Sequence, residues 1–376
     1  MFYILPFIFS FLISVFLTGV ARRLGCYFGI VSVPRPRDVH KVPVPRIGGL
    51  AIFTTFILVA LVYFLYVVPE WAFATGKIWG IDYRLGGIAV GGLILVVAML
   101  VDDVRGLGVR QKFLFQFLSV VAVIGGGVGI DFLSNPFGGV INLNSVYLPI
   151  MTVGGTTYHF SLWSDLLTLV WLVGMMNVMN FIDGVDGLAG GISIIAAFTV
   201  FLLSVSIMVN QPGTALLAII LAGATAGFLV WNFPPAKIFM GDTGSMFLGY
   251  MLGTLALISG GKLATAFLVM GFPIIDGILV AGARIIRRQN PFTTPDKTHL
   301  HHRFLRAGFT PRQAILSLYM IAVAFGYMAI FFKTMDKVFA AFVLVVLVVV
   351  LAKFLNYLAN KRLQIQGAEG GDWCKK

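Results

Sequence analysis

Charge is what this chain most lacks. Only 11% of its 376 residues are Asp, Glu, Lys or Arg, and only 15 are acids, against 59% hydrophobic residues. About a quarter of the residues in a soluble domain are charged, so a water-soluble globular protein is excluded. With a mean hydropathy of +0.96 the chain reads as an all-α polytopic integral membrane protein. Cysteine is also scarce. Cys26 and Cys374 stand far apart without metal-ligand spacing, which argues against a disulfide scaffold. No fixed-period repeat is visible. The net charge of +12 would suggest nucleic acid as the partner of a soluble protein. Here short basic loops beside anionic lipid head groups account for it, with phosphate binding as a compatible second use.

What is present in abundance is apolar sequence. A bilayer crossing needs about 20 apolar residues, and eleven segments qualify as candidate spans: 2–20, 48–68, 84–101, 112–130, 163–180, 188–208, 214–231, 245–259, 263–283, 314–332 and 338–357. The first ends in Ala-Arg-Arg without a signal-cleavage pattern and is read as a retained helix. With Met1 outside, 22 of the 27 lysines and arginines fall on the inner side, so the N terminus is expected outside and the C terminus inside. Residues 1–360 form one transmembrane domain on this reading, with an external β-hairpin over 131–162, an inner loop over 284–313 and a polar, mobile inner tail over 361–376.

The few acids are not scattered. Asp102 and Asp103, Asp183 and Asp186, Asp242, and the loop PDKTHLHHR with His299, His301, His302 and Arg303 all fall at inner ends of apolar segments. A carboxylate at the bilayer centre costs about 2.5–3.5 kcal/mol, so such placement points to a site. Asp102 and Asp103 could be a solvated helix end, but acids at a helix C terminus oppose the macrodipole. Neighbours on a helix also point about 100° apart, so they need not form a close pair. Asn177, Asn180 and Asp183 share a helix face, and the glycines after Asp183 let a planar ligand approach; the bland alternative is a polar interhelical seam, which suits Asn177. Asp242 near a helix start is either an N-cap or a Mg²⁺ ligand beside a phosphate site. The histidines suit phosphate or sugar hydroxyls better than zinc. Asp276 is either a site residue or a partner for Arg284 or another cation, and Asp165 reads as structural. The residues alone describe an enzyme handling a phosphorylated, lipid-linked substrate with a divalent cation.

The strings DVHKVPVPRIGGLAI, VDDVRGLGVRQKFLFQ, NVMNFIDGVDGLAGG, NFPPAKIFMGDTGS and DKTHLHHR, in that order from about Asp38 to Arg303, resemble the polyprenyl-phosphate N-acetylhexosamine-1-phosphate transferase superfamily. His-Leu-His-His-Arg resembles the branch acting on UDP-GlcNAc, whereas the phospho-MurNAc-pentapeptide branch typically has three histidines followed by Phe-Glu. The resemblance implies a transferase at the inner face of a bacterial cytoplasmic membrane. It would move GlcNAc-1-phosphate from UDP-GlcNAc to undecaprenyl phosphate, with Mg²⁺ or Mn²⁺ in its place, a homodimeric state, and no nucleic acid. It implies Asp242 as the metal ligand and Asp102, Asp103 and Asp183 as catalytic acids. Asn232 and Lys112 would contact the diphosphate, and Lys41, Asp186 and Phe239 would form the uridine pocket. Asn180 would also meet substrate, and His299, His301, His302 and Arg303 would recognise sugar and phosphate. The alternatives are the pentapeptide substrate, another UDP-N-acetylhexosamine, or, in a different class, a secondary transporter. A transporter should carry its acids near the midplane between inverted repeats.

Overall fold

The structure is a computed structural model that describes residues 2–33, 42–73, 77–78, 81–135, 139–153, 156–259, 263–286, 288 and 299–371. Lys41 and Asp296 lie outside the described residues. Thirteen α-helices carry the described chain: α1 (Ile4–Tyr27), α2 (Gly48–Val62), α3 (Tyr83–Arg105), α4 (Val109–Gly125), α5 (Leu162–Ile182), α6 (Leu188–Val205), α7 (Pro212–Asn232), α8 (Gly241–Ile258), α9 (Leu263–Val269), α10 (Gly271–Ile286), α11 (Leu300–Ala307), α12 (Pro311–Phe331) and α13 (Thr334–Gly371).

Eight of these are long and apolar enough to cross a membrane: α1, α2 with its continuation to Val67, α3, α5, α6, α7, α12 and α13. The chain is therefore a multi-pass membrane protein. Three of the eleven expected segments look different. α4 has only 17 residues, α8 begins with the polar Gly-Asp-Thr-Gly-Ser, and the segment 263–283 is broken between α9 and α10 at Met270. The polar tail expected from residue 361 is helical as far as Gly371, because α13 runs on past the apolar stretch.

The β content is four small antiparallel pairs: β1 (Val31–Ser32) with β2 (Val44–Pro45), β3 (Lys77–Ile78) with β4 (Ile81–Asp82), β5 (Phe132–Ser134) with β6 (Val140–Asn142), and β7 (Tyr147–Val153) with β8 (Thr156–Ser161). The hairpin expected over 131–162 is thus two hairpins in sequence. The bulge between Pro149 and Met151 interrupts the second ladder, as a residue without a backbone donor requires.

α7 and α8 are the buried centre, with most of α7 and nearly all of α8 shielded. Helices apolar all round belong in such a position. Small residues let neighbours approach: α1 packs on α7 where Gly223 and Gly227 face Ser10 and Ser14, and Ser14 Oγ donates to the Ala224 carbonyl at 2.5 Å. Tyr250 of α8 donates to the Ile88 carbonyl of α3 at 2.8 Å, and Trp171 of α5 donates to the Gly253 carbonyl of α8 at 3.1 Å. α2 meets the approach to α8 through Gly48 N–H to Phe239 O at 2.9 Å and Gly49 N–H to Met240 O at 2.8 Å.

A Cβ at Gly49 would strike the backbone of Gly244, whereas one at Gly86 on α3 would meet nothing within 4 Å. Gly49→Ala is expected to cost about 1–3 kcal/mol by overpacking and Gly86→Ala nothing. Thermal unfolding of the two variants in detergent checks this.

Candidate functional site

The site starts from three helix ends. α3 stops at Gly106, whose φ of 75° suits only glycine well, and this leaves Asp102 and Asp103 in its last turn. α7 stops at Asn232, before Pro234 and Pro235. Gly241, with φ 69°, then turns the chain into α8.

α8's first free amides are not capped by α8's own residues. Asp103 caps them from α3, accepting from Asp242 N–H at 3.0 Å, Thr243 N–H at 3.1 Å and Thr243 Oγ1 at 2.7 Å. Arg46 Nη2 completes its shell at 2.8 Å, and the Asp103 side chain has no exposed surface. Asp242 is therefore not the N-cap. It lies in α8's first turn, partly exposed, aimed by a cap from 139 residues away in sequence. A Cβ at Gly241 would collide with the Asp103 carboxylate and the Arg46 carbonyl, so the cap needs glycine there.

Asp102 takes Leu107 N–H on one oxygen at 2.6 Å and Lys112 Nζ on the other at 2.7 Å. Lys112 Nζ also lies 2.6 Å from Asp242 Oδ2. One ammonium thus joins the end of α3 to the start of α8. Oxygens of Asp102, Asp103 and Asp242 fall within 4.8 Å of one another, so the adjacent pair does converge despite its helical angle, with α8 as the third side. This hard oxygen set fits Mg²⁺ or Mn²⁺.

Asp183 follows α5 and faces the same centre. Burial, and then the carboxylates of Asp242, Asp103 and Asp186, push its carboxyl well above the usual range. Among like charges so close together the upward shift favours the protonated, neutral form of Asp183. Asn180 faces Asp242 and donates to Ser245 Oγ at 3.0 Å. Asn177 instead bonds Gln116 Oε1 at 2.9 Å and the Val173 carbonyl at 2.7 Å, which is the interhelical seam.

The remaining expected residues hold loops. The Asn232 amide is buried between Gly187 N–H and the Ile238 carbonyl, both at 2.9 Å. Asp186 accepts Ala236 N–H at 2.9 Å. Phe239 is half-buried, with its backbone tied to Pro45 and Gly48. These bonds stitch the Asp183–Gly187 turn to the 233–240 loop.

The histidines sit on and before α11. His299 and His301 are stacked with ring centroids 5.4 Å apart and 7° between planes, and His302 lies 4.3 Å from His301. His301 is buried, neither ring nitrogen has a hydrogen-bond partner, and Nε2 lies over Gly184, next to Asp183. Burial and then the neighbouring His302 push its pKa down to about 3. Arg303 reaches the Ala352 carbonyl of α13 at 3.4 Å. Asp276 is a partner of His299, at 2.8 Å from Nδ1.

Between α3 and α4 lies an open apolar groove of about 540 Å³, lined by Leu93, Val97, Val101, Leu107, Gln111 and Phe115 among others, the first three of them exposed. One of its ends is Leu107 and Gln111, beside Asp102 and Lys112.

Residue reasoning missed the partners Arg46, Thr243 and Ser245. All three stood in the motifs VPRIGG and GDTGS, but only tertiary contact gives them roles.

Apolar helices that meet at a half-buried centre of carboxylates and cations define a multi-pass membrane protein with an acidic cluster that could hold a metal ion. The chain belongs to glycosyl transferase family 4, whose model matches residues 85–260. It is 33% identical, over 95% of its own length and 93% of the other's, to a protein of Bacillus subtilis (strain 168) named a probable undecaprenyl-phosphate N-acetylglucosaminyl 1-phosphate transferase. It is 35% identical, over 86% and 82%, to a decaprenyl-phosphate N-acetylglucosaminephosphotransferase of Mycobacterium tuberculosis (strain CDC 1551 / Oshkosh). With an undecaprenyl-phosphate alpha-N-acetylglucosaminyl 1-phosphate transferase of Thermotoga maritima the identity is 28%, over 78% and 79%.

Two outcomes test this geometry. Asp103→Ala removes the cap of α8 and is expected to cost about 1–3 kcal/mol of stability; calorimetric or fluorescence melting measures it. His301 is neutral in the fold and ordinary when unfolded, so between pH 6.5 and about 3 the unfolded chain binds the extra proton. Stability should therefore fall as pH drops below 6.5, and His301→Gln should flatten that limb in melts at pH 7 and pH 5.

Proposed function

We propose that this protein transfers GlcNAc-1-phosphate from UDP-GlcNAc to undecaprenyl phosphate, releasing UMP, at the cytoplasmic face of a bacterial membrane. The observation that carries the reading is Lys112 held between Asp102 and Asp242 at helix ends beside an open apolar groove. A charged centre there suits a phosphate that stays tethered to the bilayer by an apolar chain. Relatives named for N-acetylglucosamine-phosphate transfer with undecaprenyl or decaprenyl phosphate align over most of the chain.

The ends of α3, α5 and α7 and the starts of α4, α6 and α8 lie around one centre, which agrees with eleven crossings if α9 and α10 together make one. The excess of inner lysine and arginine supports the N-outside orientation.

The acceptor phosphate attacks the sugar-bearing phosphorus, and UMP leaves. A phosphate monoester with second pKa near ~6 is largely dianionic at neutral pH, so direct attack needs no strong base. Asp103, with its acceptor positions taken by Arg46, Asp242 N–H and Thr243, positions α8 rather than reacting. Asp102 and Asp242 are left to face the reacting groups. Mg²⁺, held by Asp242 with Asp102, would supply charge neutralisation on the diphosphate. Lys112 and Arg46 offset phosphate charge as the leaving group departs. Asp183 and Asn180 flank the centre, and the His299–Arg303 segment receives the sugar. The Leu and Arg in His-Leu-His-His-Arg favour GlcNAc over the pentapeptide substrate, and acids gathered at helix ends disfavour a transporter.

Purified protein given undecaprenyl phosphate and Mg²⁺ is expected to release UMP from UDP-GlcNAc and not from UDP-MurNAc-pentapeptide. EDTA should abolish the reaction, and Asp242→Ala should lower kcat by at least ~10²–10³. Turnover of the pentapeptide substrate alone would overturn the donor assignment. A phospho-sugar trapped on Asp102 or Asp103 would overturn direct attack.

A further inference from the structure

Asp276 stands outside the carboxylate centre. It lies on α10, is 3% exposed, and divides its two oxygens between two partners. Oδ2 is 2.8 Å from His299 Nδ1, and Oδ1 accepts Leu300 N–H at 2.8 Å. Leu300 is the first residue of α11, whose opening amides have no partner within the helix. His299 precedes it and makes no side-chain cap of its own. One carboxylate therefore supplies the missing cap and grips the ring beside it.

The grip has a chemical consequence. A carboxylate on Nδ1 keeps the proton on that nitrogen and leaves Nε2 as the remaining polar atom of the ring. It also fixes the plane of His299, on which the His301 ring lies parallel. His301 in turn rests over Gly184, next to Asp183. A path of direct contacts thus runs from Asp276 through two imidazoles to the rim of the carboxylate centre.

We propose that Asp276 is a positioning residue for the transfer reaction and acts through His299, setting its tautomer and ring plane while anchoring the start of α11. The inference rests on the proposed transfer, since it assigns His299 a place at the donor.

The test is a double-variant cycle in the UMP-release assay, using wild type, Asp276→Asn, His299→Gln and both together. Asn keeps an oxygen for Leu300 N–H but loses the charge that holds Nδ1–H. Asp276→Asn is expected to lower kcat by about 10–100-fold, with a melting temperature within about 2 °C of wild type. In the His299→Gln background the same change should alter kcat by less than about 2-fold, because the route is already cut. Asp276→Glu, which keeps the charge, should recover part of the rate. Full activity of Asp276→Asn, a loss explained by lost folded protein, or effects of the two substitutions that multiply would each overturn the proposal. If wild type fails to turn over UDP-GlcNAc, the donor assignment fails instead. The cycle is then read from the melting shift given by UDP with Mg²⁺, where the same non-additivity is expected and multiplying effects again overturn the proposal.

Discussion

The contact between the last turn of α3 and the first turn of α8 organises the site. Acids at the end of α3 face the negative pole of their own helix. They are tolerable because α8 presents its positive pole, with two amides and a hydroxyl, to Asp103. Arg46 and Lys112 add full positive charges. Out of water these interactions strengthen each other, and losing any one leaves a buried charge uncompensated. The position of Asp242, the bridge by Lys112 and the convergence of three carboxylates all depend on that docking.

The same device recurs at α11. There too a helix begins without a cap of its own, and a carboxylate from another helix supplies it: Asp276 to Leu300 N–H. In both places a residue sensitive to placement stands next to the capped amide, Asp242 in one and His299 in the other. Trans-capping joins helix position to side-chain aim, so a carboxylate on one helix governs the placement of a residue on another. Acids in this bundle thus divide into those that hold helices and those that face the centre.

Much of this architecture could be read from the residues. Apolar runs located the long helices, and the scarcity of acids made Asp102, Asp103, Asp183 and Asp242 conspicuous. What could not be read was who caps whom. Asp242 near a helix start looked like a cap or a ligand, and no local pattern discloses that Asp103 takes the capping role across 139 residues. Helix geometry sets Asp102 and Asp103 apart, and only the start of a second helix, α8, makes one cluster of them. Asn232 and Asp186 are ligand contacts by resemblance, and in the fold their polar atoms also bind loop backbone, a demand visible only once the loops are folded. The segment 263–283 reads as continuous by hydropathy, yet it breaks at Met270, because hydropathy does not register helix breaks.

α13 carries a mechanical consequence. Its 38 residues span about 57 Å at 1.5 Å per residue, while the hydrocarbon layer is about 30 Å thick. The helix therefore projects well past the head groups. α11 packs against it, with Arg303 reaching Ala352. Excess apolar length lets a helix tilt, and packing against its neighbours sets the angle. The histidine-bearing helix thus leans on a mast longer than the hydrocarbon layer is thick, and each is part of the packing that fixes the other's angle.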